Sequence, residues 1–248
     1  MRYFNLIKNI ANWPAYFQYR LLGLGGDPLT FVTRNGIKIE VPVRIMHDFK
    51  AVFFGECYTS EMPKPLPPNS DIVDVGANIG SFTFFAAARF PASRVLSFEP
   101  DPTNFRQLLR NATLNPGRVQ VMRMAVAGAS GEVMLSGGDA ESYTTHASIV
   151  SGKQTAASAP VEAISLADLF TNYGVERCGL LKLDCEGAEF PILYAAPDWA
   201  LRRVEQMVME LHPAGLDGPN SRRGIETFLN GKGFKTRASR DGLLWAWR

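Results

Sequence analysis

Apolar and polar positions along this 248-residue chain predict strands that alternate with helices. The clearest unit begins with the β-branched run 72–75, passes through a glycine-bearing turn at 76–80, and enters an apolar segment without helix breakers at 81–90. A second apolar run follows at 94–98. Strand, helix and strand in this order predict two parallel strands joined by a crossover helix.

The same alternation continues to the end of the chain. The predicted elements are a helix at 102–114, strands at 119–127, 131–136 and 161–164, a helix at 165–173 capped by Ser165, a strand at 179–183, a helix at 188–196, a strand at 206–211, a helix at 222–231, and strands at 234–238 and 243–247. The last two strands flank a polar turn, which predicts an antiparallel hairpin. The pattern therefore predicts an α/β fold with a mostly parallel sheet and an antiparallel hairpin at one edge.

Two stretches depart from this alternation. The tract 137–160 is rich in Gly, Ser, Thr and Ala, so we expect a mobile loop there, either covering a substrate or forming a plain insertion. The proline-rich tract 62–69 can sustain neither a helix nor a central strand. It predicts a division into an N-terminal extension, 1–68, and a main domain, 69–248.

The extension is predicted to contain helices and a β-hairpin. Residues 1–22 read as one or two amphipathic helices interrupted near Pro14, and Asn35 and Gly36 between β-rich arms predict the hairpin. Apolar side chains recur at near-helical spacing in the helical part, at Phe4, Ile7, Ile10, Trp13, Phe17 and Leu21. We expect this stripe to pack on the main domain, with a membrane-surface or dimer contact as the alternative.

Charge and cysteine content narrow the class of protein. The 26 basic and 24 acidic residues give a net charge of +2, so no nucleic-acid partner is expected. Cys57, Cys178 and Cys185 lack the close spacing of a zinc or redox motif, and we interpret them as reduced thiols in a cytoplasmic protein. No apolar run approaches the roughly 20 residues that a transmembrane helix needs.

The turn at 76–80 is the first candidate for ligand binding. Gly76 and Gly80 enclose the short residues Ala77 and Asn78. We expect the two glycines to let a ligand approach the backbone, because a Cβ atom would occupy the ligand's space.

Two acids accompany this turn. Asp74 precedes it, and Glu99, followed by Pro100, ends the next predicted strand about twenty residues beyond the glycines. Nucleoside-binding α/β units place a carboxylate for ribose hydroxyls at this distance. The spacing G-x-x-x-G lacks the middle glycine of the dinucleotide motif, which argues against NAD. A ligand with one ribose and no pyrophosphate, such as S-adenosylmethionine, fits the turn and its two acids better.

A second group of ionisable residues follows two later strands. Lys182, Asp184 and Glu186 come at the end of one predicted strand, and Glu210 and His212 at the end of the next. Open α/β sheets bind ligands outside the carboxyl ends of their strands. We therefore expect these five catalytic candidates to converge on the reacting centre.

Two mechanisms would use such a group. In the favoured one, His212 or a carboxylate removes the proton of an acceptor hydroxyl. In the other, Asp184, Glu186, Glu210 and His212 hold a divalent metal ion that lowers the pKa of the hydroxyl.

Structural roles stay open for three of these residues. Lys182 could form an internal ion pair with Asp184 or Glu189, and the backbone could satisfy His212. Asp184 could also hold the amino group of the cofactor rather than act on the acceptor.

Three segments make the chain recognisable, VDVGANIG at 73–80, SFEPDPTNF at 97–105 and LLKLDCEGAE at 180–189. Together they resemble the FkbM-type family of S-adenosylmethionine-dependent methyltransferases over residues 71–212. The resemblance implies a class I, Rossmann-like sheet, S-adenosylmethionine as cofactor, and an acceptor hydroxyl on a sugar, glycan or natural-product scaffold. It also implies that Ala125 lies beside the adenine ring.

Two other functions stay open at this point. A catalytically silent module would bind S-adenosylmethionine and serve as a scaffold, although Asp74, Gly76, Gly80, Glu99 and Asp184 are all intact. A nicotinamide-dependent oxidoreductase would need the missing glycine and a proton donor such as a Tyr-x-x-x-Lys pair, which the sequence lacks.

Overall fold

The computed structural model describes residues 2–136, 148–150, 159–213, 215 and 217–248. The helices are α1 Arg2–Asn9, α2 Pro14–Leu22, α3 Met46–Phe53, α4 Ser81–Arg89, α5 Pro102–Thr113, α6 Leu166–Asn172, α7 Glu189–Ala195, α8 Asp198–Arg203 and α9 Arg222–Gly231. The strands are β1 Leu29–Val32, β2 Lys38–Val41, β3 Asp71–Val75, β4 Val95–Phe98, β5 Gln120–Met122, β6 Ala125–Ala127, β7 Gly131–Ser136, β8 Ser148–Val150, β9 Ala159–Ser165, β10 Cys178–Leu183, β11 Gln206–Met209, β12 Lys235–Ala238 and β13 Leu244–Trp247.

A seven-stranded sheet forms the centre of the molecule. Its strand order is β12-β13-β11-β10-β3-β4-β5, and the five strands from β11 to β5 run parallel. β13 pairs antiparallel with both β11 and β12, which closes one edge with a hairpin. This confirms the predicted α/β fold, and the mostly parallel sheet with an antiparallel edge is the arrangement of class I methyltransferases that the resemblance implied.

The central strands are short apolar runs because both faces of the sheet are covered. All residues of β4, β10 and β11 are buried, as a parallel sheet between two layers of helices requires. Two hydrophobic clusters fill the space on the two sides, and they contain alternating residues of β3, such as Ile72 in one cluster and Val73 in the other.

The predicted single strand 119–127 is wrong in one respect, because two strands occupy it. β5 pairs with β4 in the central sheet, whereas β6 pairs with β9 in a separate four-stranded sheet of order β6-β9-β7-β8. Arg123 and Met124, which separate the two strands, include neither glycine nor proline, so the sequence carries no turn signal where the chain changes partner. Within the tract predicted as a mobile loop, residues 148–150 form β8 against β7, and residues 137–147 and 151–158 lie outside the described part.

Aromatic side chains pack within the extension and between the extension and helix α4 of the main domain. Phe31 of β1 stacks on Phe49 of α3 with ring centroids 4.4 Å apart, and Phe53 meets Phe85 of α4 edge-on at 5.3 Å. Asn111 of α5 accepts a hydrogen bond from the backbone of β2. The division into 1–68 and 69–248 stays a proposal, and the two parts share one hydrophobic core.

The helical stripe predicted in residues 1–22 packs only in part. Ile10 is buried, together with Leu6 and Tyr16, which lie outside the predicted stripe. Phe4 and Leu21 are 70% and 74% exposed. The buried face of the first segment carries Leu6 and Ile10, four residues apart, and not Phe4 and Ile7, and Pro14 begins a separate helix whose buried residue is Tyr16. None of the described helices is both long and apolar enough to cross a membrane.

Candidate active site

The carboxyl ends of four parallel strands come together at one edge of the central sheet. The last residues of these strands are in register across the sheet, namely Phe98, Val75, Leu183 and Met209. The residues that follow them are Glu99, Gly76, Asp184 and Glu210. Each of the four lies on the wall of a cavity of about 940 Å³, which α3 and the segment after it close from the side. The sheet therefore brings the two predicted groups of site residues to one place.

The glycine turn is shaped by protein neighbours. Gly76 and Gly80 have φ of +73° and +93°, a region that glycine enters at little cost. A Cβ atom at Gly76 would collide with the carbonyl oxygen of Asp184, and one at Gly80 would lie 2.6 Å from the ring of Phe84. The expectation that the two glycines leave room for a ligand is thus wrong, because other parts of the chain fill the positions of the missing Cβ atoms. Gly76 is needed for the close approach of β3 and β10.

Glu99 is held at the cavity by two backbone donors. Its Oε2 atom accepts from the Asn78 N–H at 2.7 Å, and its Oε1 atom accepts from the Asp101 N–H at 2.9 Å. Burial raises the pKa of this carboxyl to about 7, although the two N–H groups act in the opposite direction. Each oxygen keeps a lone pair for a further donor.

Asp74 lies beneath the turn and does not line the cavity, and neither does Gly80. The Asp74 carboxylate has no exposed surface, and it accepts a hydrogen bond from the Thr83 hydroxyl at 2.7 Å. The Lys182 ammonium lies 3.1 Å from it and donates to the Gly76 carbonyl at 2.7 Å. The structure therefore places Asp74 as a support of the turn.

Lys182 is a buried cation shared by two carboxylates. Its Nζ atom lies 3.5 Å from Asp184 and 5.3 Å from the centre of the Tyr58 ring, in addition to the Asp74 contact. Burial alone would lower the pKa of the ammonium, but Asp74 and Asp184 raise it above its ordinary value. The predicted internal ion pair exists, with Asp74 as the nearer partner and Glu189 not involved. Lys182 is therefore held charged and cannot serve as a base.

His212 is oriented by a carboxylate that the sequence reading had not assigned to the site. Its Nδ1 atom lies 3.0 Å from Glu189, which has no exposed surface and accepts from the N–H groups of Cys185 and Gly187. Its Nε2 atom lies 3.5 Å from Glu186. The bond to Glu189 raises the pKa of His212 to about 9, aided by the other nearby carboxylates.

Asp184 and Glu210 present their carboxylates from adjacent strand ends. Asp184 Oδ2 accepts from the Tyr58 hydroxyl at 2.8 Å. Glu210 is an exposed residue, and partial burial of its carboxyl together with the charge of Asp184 raises its pKa. Among the described residues, Asp184, Glu210 and His212 offer ligand atoms within 4.8 Å of one another, a spacing that could also hold a metal ion.

Most of the predicted residues meet at the cavity wall. Those that line it are Gly76, Ala77, Asn78, Glu99, Pro100, Ala125, Lys182, Asp184, Glu186, Glu210 and His212. Sequence reasoning missed Tyr58, Asp48 and Glu189. For Glu189 a signal was present, because a carboxylate in the first turn of a helix meets free backbone N–H groups. For Asp48 and Tyr58 none was, because they reach the site only through packing of the extension.

The charge of the cavity is dominated by acids. In the described part of the wall, six carboxylates stand against one lysine and two histidines, and no arginine contributes: Asp48, Glu99, Asp184, Glu186, Glu210 and Asp241 face Lys182, His47 and His212. Lys182 is already neutralised by the buried Asp74. The wall therefore favours cationic or neutral ligands over anionic ones.

Comparison with known proteins identifies the family of the chain. The Methyltransferase FkbM domain matches residues 74–236, which include the glycine turn, Glu99 and the acidic group. Methyltransferase sdnD of Sordaria araneosa is 30% identical over 228 residues, covering 80% of this chain and 84% of that protein. The 31-O-demethyl-FK506 methyltransferase FkbM of Streptomyces tacrolimicus is 29% identical, covering 79% and 84%.

Among solved structures, the crystal structure of Methyltransferase FkbM from Methylobacillus flagellatus KT matches with a TM-score of 0.46 and 15% identity, over 83% of this chain and 54% of that one. The domain match spans well over half of the present chain, and the relatives cover most of it. With its glycine turn and acidic group at the same sheet edge, the chain belongs to the FkbM family of methyltransferases.

Proposed function

We propose that this methyltransferase moves a methyl group from S-adenosylmethionine to a hydroxyl of a small neutral or cationic acceptor, such as a sugar, a glycan or a natural-product scaffold. The main support is that two carboxylates line one cavity. Glu99, beside the glycine turn, is suited to bind ribose hydroxyls, and Glu210 is suited to accept a proton. The family implies the cofactor, and the residues present fit it.

The fit rests on free acceptor positions. Glu99 uses one lone pair of each oxygen on Asn78 and Asp101, so the two remaining lone pairs can accept from two neighbouring hydroxyls of a ribose. Ala125, which lines the same cavity, is the proposed adenine neighbour. When bound, S-adenosylmethionine would supply an electrophilic methyl group on a positively charged sulfur. The acidic wall is complementary to such a cation.

Glu210 is the proposed proton acceptor. His212 is protonated at neutral pH, because its contact with Glu189 raises its pKa to about 9. Lys182 forms ion pairs with Asp74 and Asp184. Neither residue is therefore available as a base. Asp184 already receives the Tyr58 hydroxyl. Within the described chain, the Glu210 side chain accepts no such bond, and its raised pKa makes it a better base than an ordinary carboxylate. If the acceptor oxygen takes the methyl group, the methyl–sulfur bond would break and leave its electron pair on sulfur as a neutral thioether, and the hydroxyl proton would pass to Glu210.

The two remaining cations of the site have supporting roles in this proposal. Lys182 holds the glycine turn through Asp74 and the Gly76 carbonyl, and His212 acts through its charge. The imidazolium faces Glu186 and lies on the same wall as Glu210, so it stabilises the negative charge that the acceptor oxygen gains before transfer. This route needs no metal ion. A divalent cation on Asp184, Glu210 and His212 is the competing arrangement, and it would have to displace the proton of His212.

The acceptor class follows from the wall and from one relative. Phosphate or carboxylate groups on an acceptor would face six carboxylates without an arginine in the described wall to bind them. The Streptomyces relative is named for action on 31-O-demethyl-FK506, a scaffold that takes its methyl group on oxygen. A neutral hydroxyl-bearing acceptor agrees with both observations.

The test is methyl transfer from radiolabelled S-adenosylmethionine to free glycosides and polyketide alcohols, with the corresponding phosphate esters in parallel. We expect transfer to the uncharged acceptors only, unchanged by EDTA. Glu210→Gln should lower turnover by about 100-fold or more with little change in cofactor affinity, whereas Glu226→Gln on α9 should change neither. Transfer only to phosphate esters would contradict the acceptor class, and loss of activity with EDTA would contradict the metal-free route.

A further inference from the structure

The first two helices carry an exposed apolar surface on the side that faces away from the core. Six of the nine large apolar side chains that are exposed in the described chain fall within residues 3–24. They are Tyr3, Phe4, Ile7, Leu21, Leu22 and Leu24, which we call the α1–α2 patch. Scattered single residues of this kind are normal on a protein surface, but six of them within 22 consecutive residues point to an interaction site.

The patch belongs to helices that are firmly attached to the protein. Asn5 and Asn9 of α1 donate side-chain hydrogen bonds to the carbonyl groups of Phe54 and Phe53 at the end of α3, each at 2.9 Å. On the patch side, the Tyr3 ring lies 5.5 Å from Phe17, so α1 and α2 touch there. The inner side of these helices is already buried, and the outer side is left without a partner in the described chain.

The charges around the patch are complementary to an anionic surface. Residues 2–26 contain Arg2, Lys8 and Arg20 and no acidic residue. Arg34 donates to the Ile7 carbonyl and so fixes a further cation beside α1. The Lys8 ammonium and the nearby Glu56 carboxylate compensate each other at 3.0 Å, which leaves the charges of Arg20 and Arg34 uncompensated in the described chain.

We propose that the α1–α2 patch binds the surface of an anionic lipid bilayer, with its aromatic and aliphatic side chains in the headgroup region and the neighbouring Arg20 and Arg34 on the lipid phosphates. Short amphipathic helices with basic residues beside an apolar face bind membranes in this way. A second copy of the chain fits less well, because a two-fold contact through this patch would set the basic surroundings of one copy against the same basic surroundings of the other.

The test is co-sedimentation of the full chain with vesicles of phosphatidylcholine, with and without phosphatidylglycerol. We expect binding to the anionic vesicles that weakens as salt is raised, since exposed charges are screened. Phe4→Ser and Leu21→Ser should each weaken binding about tenfold, the effect of losing one buried apolar side chain. Leu109→Ser, which removes an exposed apolar side chain of α5 outside the patch, should have no effect.

The competing outcomes are distinct. Absence of binding to anionic vesicles, or equal binding by the Phe4→Ser and wild-type proteins, would overturn the proposal. So would a dimer in sedimentation velocity without vesicles that Leu21→Ser abolishes, because the patch would then be a contact between copies. Titration with S-adenosylmethionine should give the same affinity for these variants, which shows that they are folded. The vesicle experiment does not depend on which acceptor the enzyme methylates, so its failure and a failure of the proposed function can be told apart.

Discussion

The Nδ1 atom of His212 lies 3.0 Å from the Oε1 atom of Glu189, a carboxylate with no exposed surface. This contact raises the pKa of His212 to about 9, so the imidazole carries its proton at neutral pH. A protonated histidine cannot take a proton from an acceptor. The contact thereby argues against His212, the first candidate in the sequence, as the base, and supports the proposed role of Glu210.

Glu189→Gln should return the pKa of His212 toward its ordinary value of 6.5, because the amide is neutral and the ion pair is lost. The change is measured by NMR titration of the imidazole protons, with His47 as the internal reference outside this contact. An unchanged titration of His212 in the variant would contradict the assignment of Glu189 as its partner.

Glu189→Gln should also change how the free energy of unfolding depends on pH. The pKa of His212 is higher in the folded protein than in the unfolded one, so the pair stabilises the fold fully below about pH 6.5 and loses this contribution as the pH rises through about 9. The destabilisation of Glu189→Gln in urea should therefore be larger near pH 6 than above pH 9. A pH-independent loss would mean that only the N–H contacts of Glu189 matter.

Cofactor binding should release protons through Glu99. Its pKa is about 7 without ligand, and two ribose hydroxyls would favour the charged form and lower that pKa. Affinity for S-adenosylmethionine should then fall as the pH drops below about 7. Calorimetry near pH 6.5 in two buffers of different ionisation enthalpy measures the release, and Glu99→Gln should abolish it. Equal proton release by the variant would assign it to another group.

Gly76→Ala should destabilise the fold by about 2 kcal/mol or more, because a left-handed conformation and a clash with the Asp184 carbonyl add together. Gly117→Ala is the matched control. Gly117 has the same φ of +73°, but nothing lies within 4 Å of its added Cβ atom. If the two substitutions cost the same in urea denaturation, the close approach of β3 and β10 is not what requires Gly76.

Lys182→Met should cost about 3–5 kcal/mol, since it leaves the Asp74 carboxylate buried without a counter-charge. The double substitution Asp74→Asn with Lys182→Met should recover part of that loss, because no buried charge is then unpaired at this position. Thermal and urea denaturation of the three variants provide the comparison. A double variant that is as unstable as the sum of the two single ones would contradict direct pairing.

The sequence predicted the sheet and most of the cavity because both depend on local patterns. Apolar runs that end in Glu99, Asp184 and Glu210 mark strand ends, and parallel strands bring their ends to one edge. The position of the turn at Gly76 was predicted correctly, but the group packed against it was not. A glycine indicates that a Cβ atom would not fit, and it does not indicate whether a ligand or another part of the chain fills the space.

Features that depend on contacts distant in sequence were not predictable. Asp74 of β3 pairs with Lys182 of the neighbouring strand β10. Tyr58 donates a hydrogen bond to Asp184, which lies 126 residues later in the chain. The break between β5 and β6 follows from the choice of a partner strand in another sheet, which no local period encodes. The outward position of Phe4 likewise follows from which face of α1 meets α3, the face of Asn5 and Asn9.

S-adenosylmethionine would occupy the cavity with Glu99 on the ribose hydroxyls, and every step of the proposed methyl transfer depends on this binding. Isothermal titration of the purified, cofactor-stripped protein with S-adenosylmethionine, and separately with NAD, tests this claim, using Glu99→Gln and the control Glu226→Gln. We predict binding of S-adenosylmethionine to the wild type and the control, affinity at least about tenfold weaker in Glu99→Gln, and no binding of NAD. Equal affinity of Glu99→Gln and wild type, or binding of NAD alone, would contradict it.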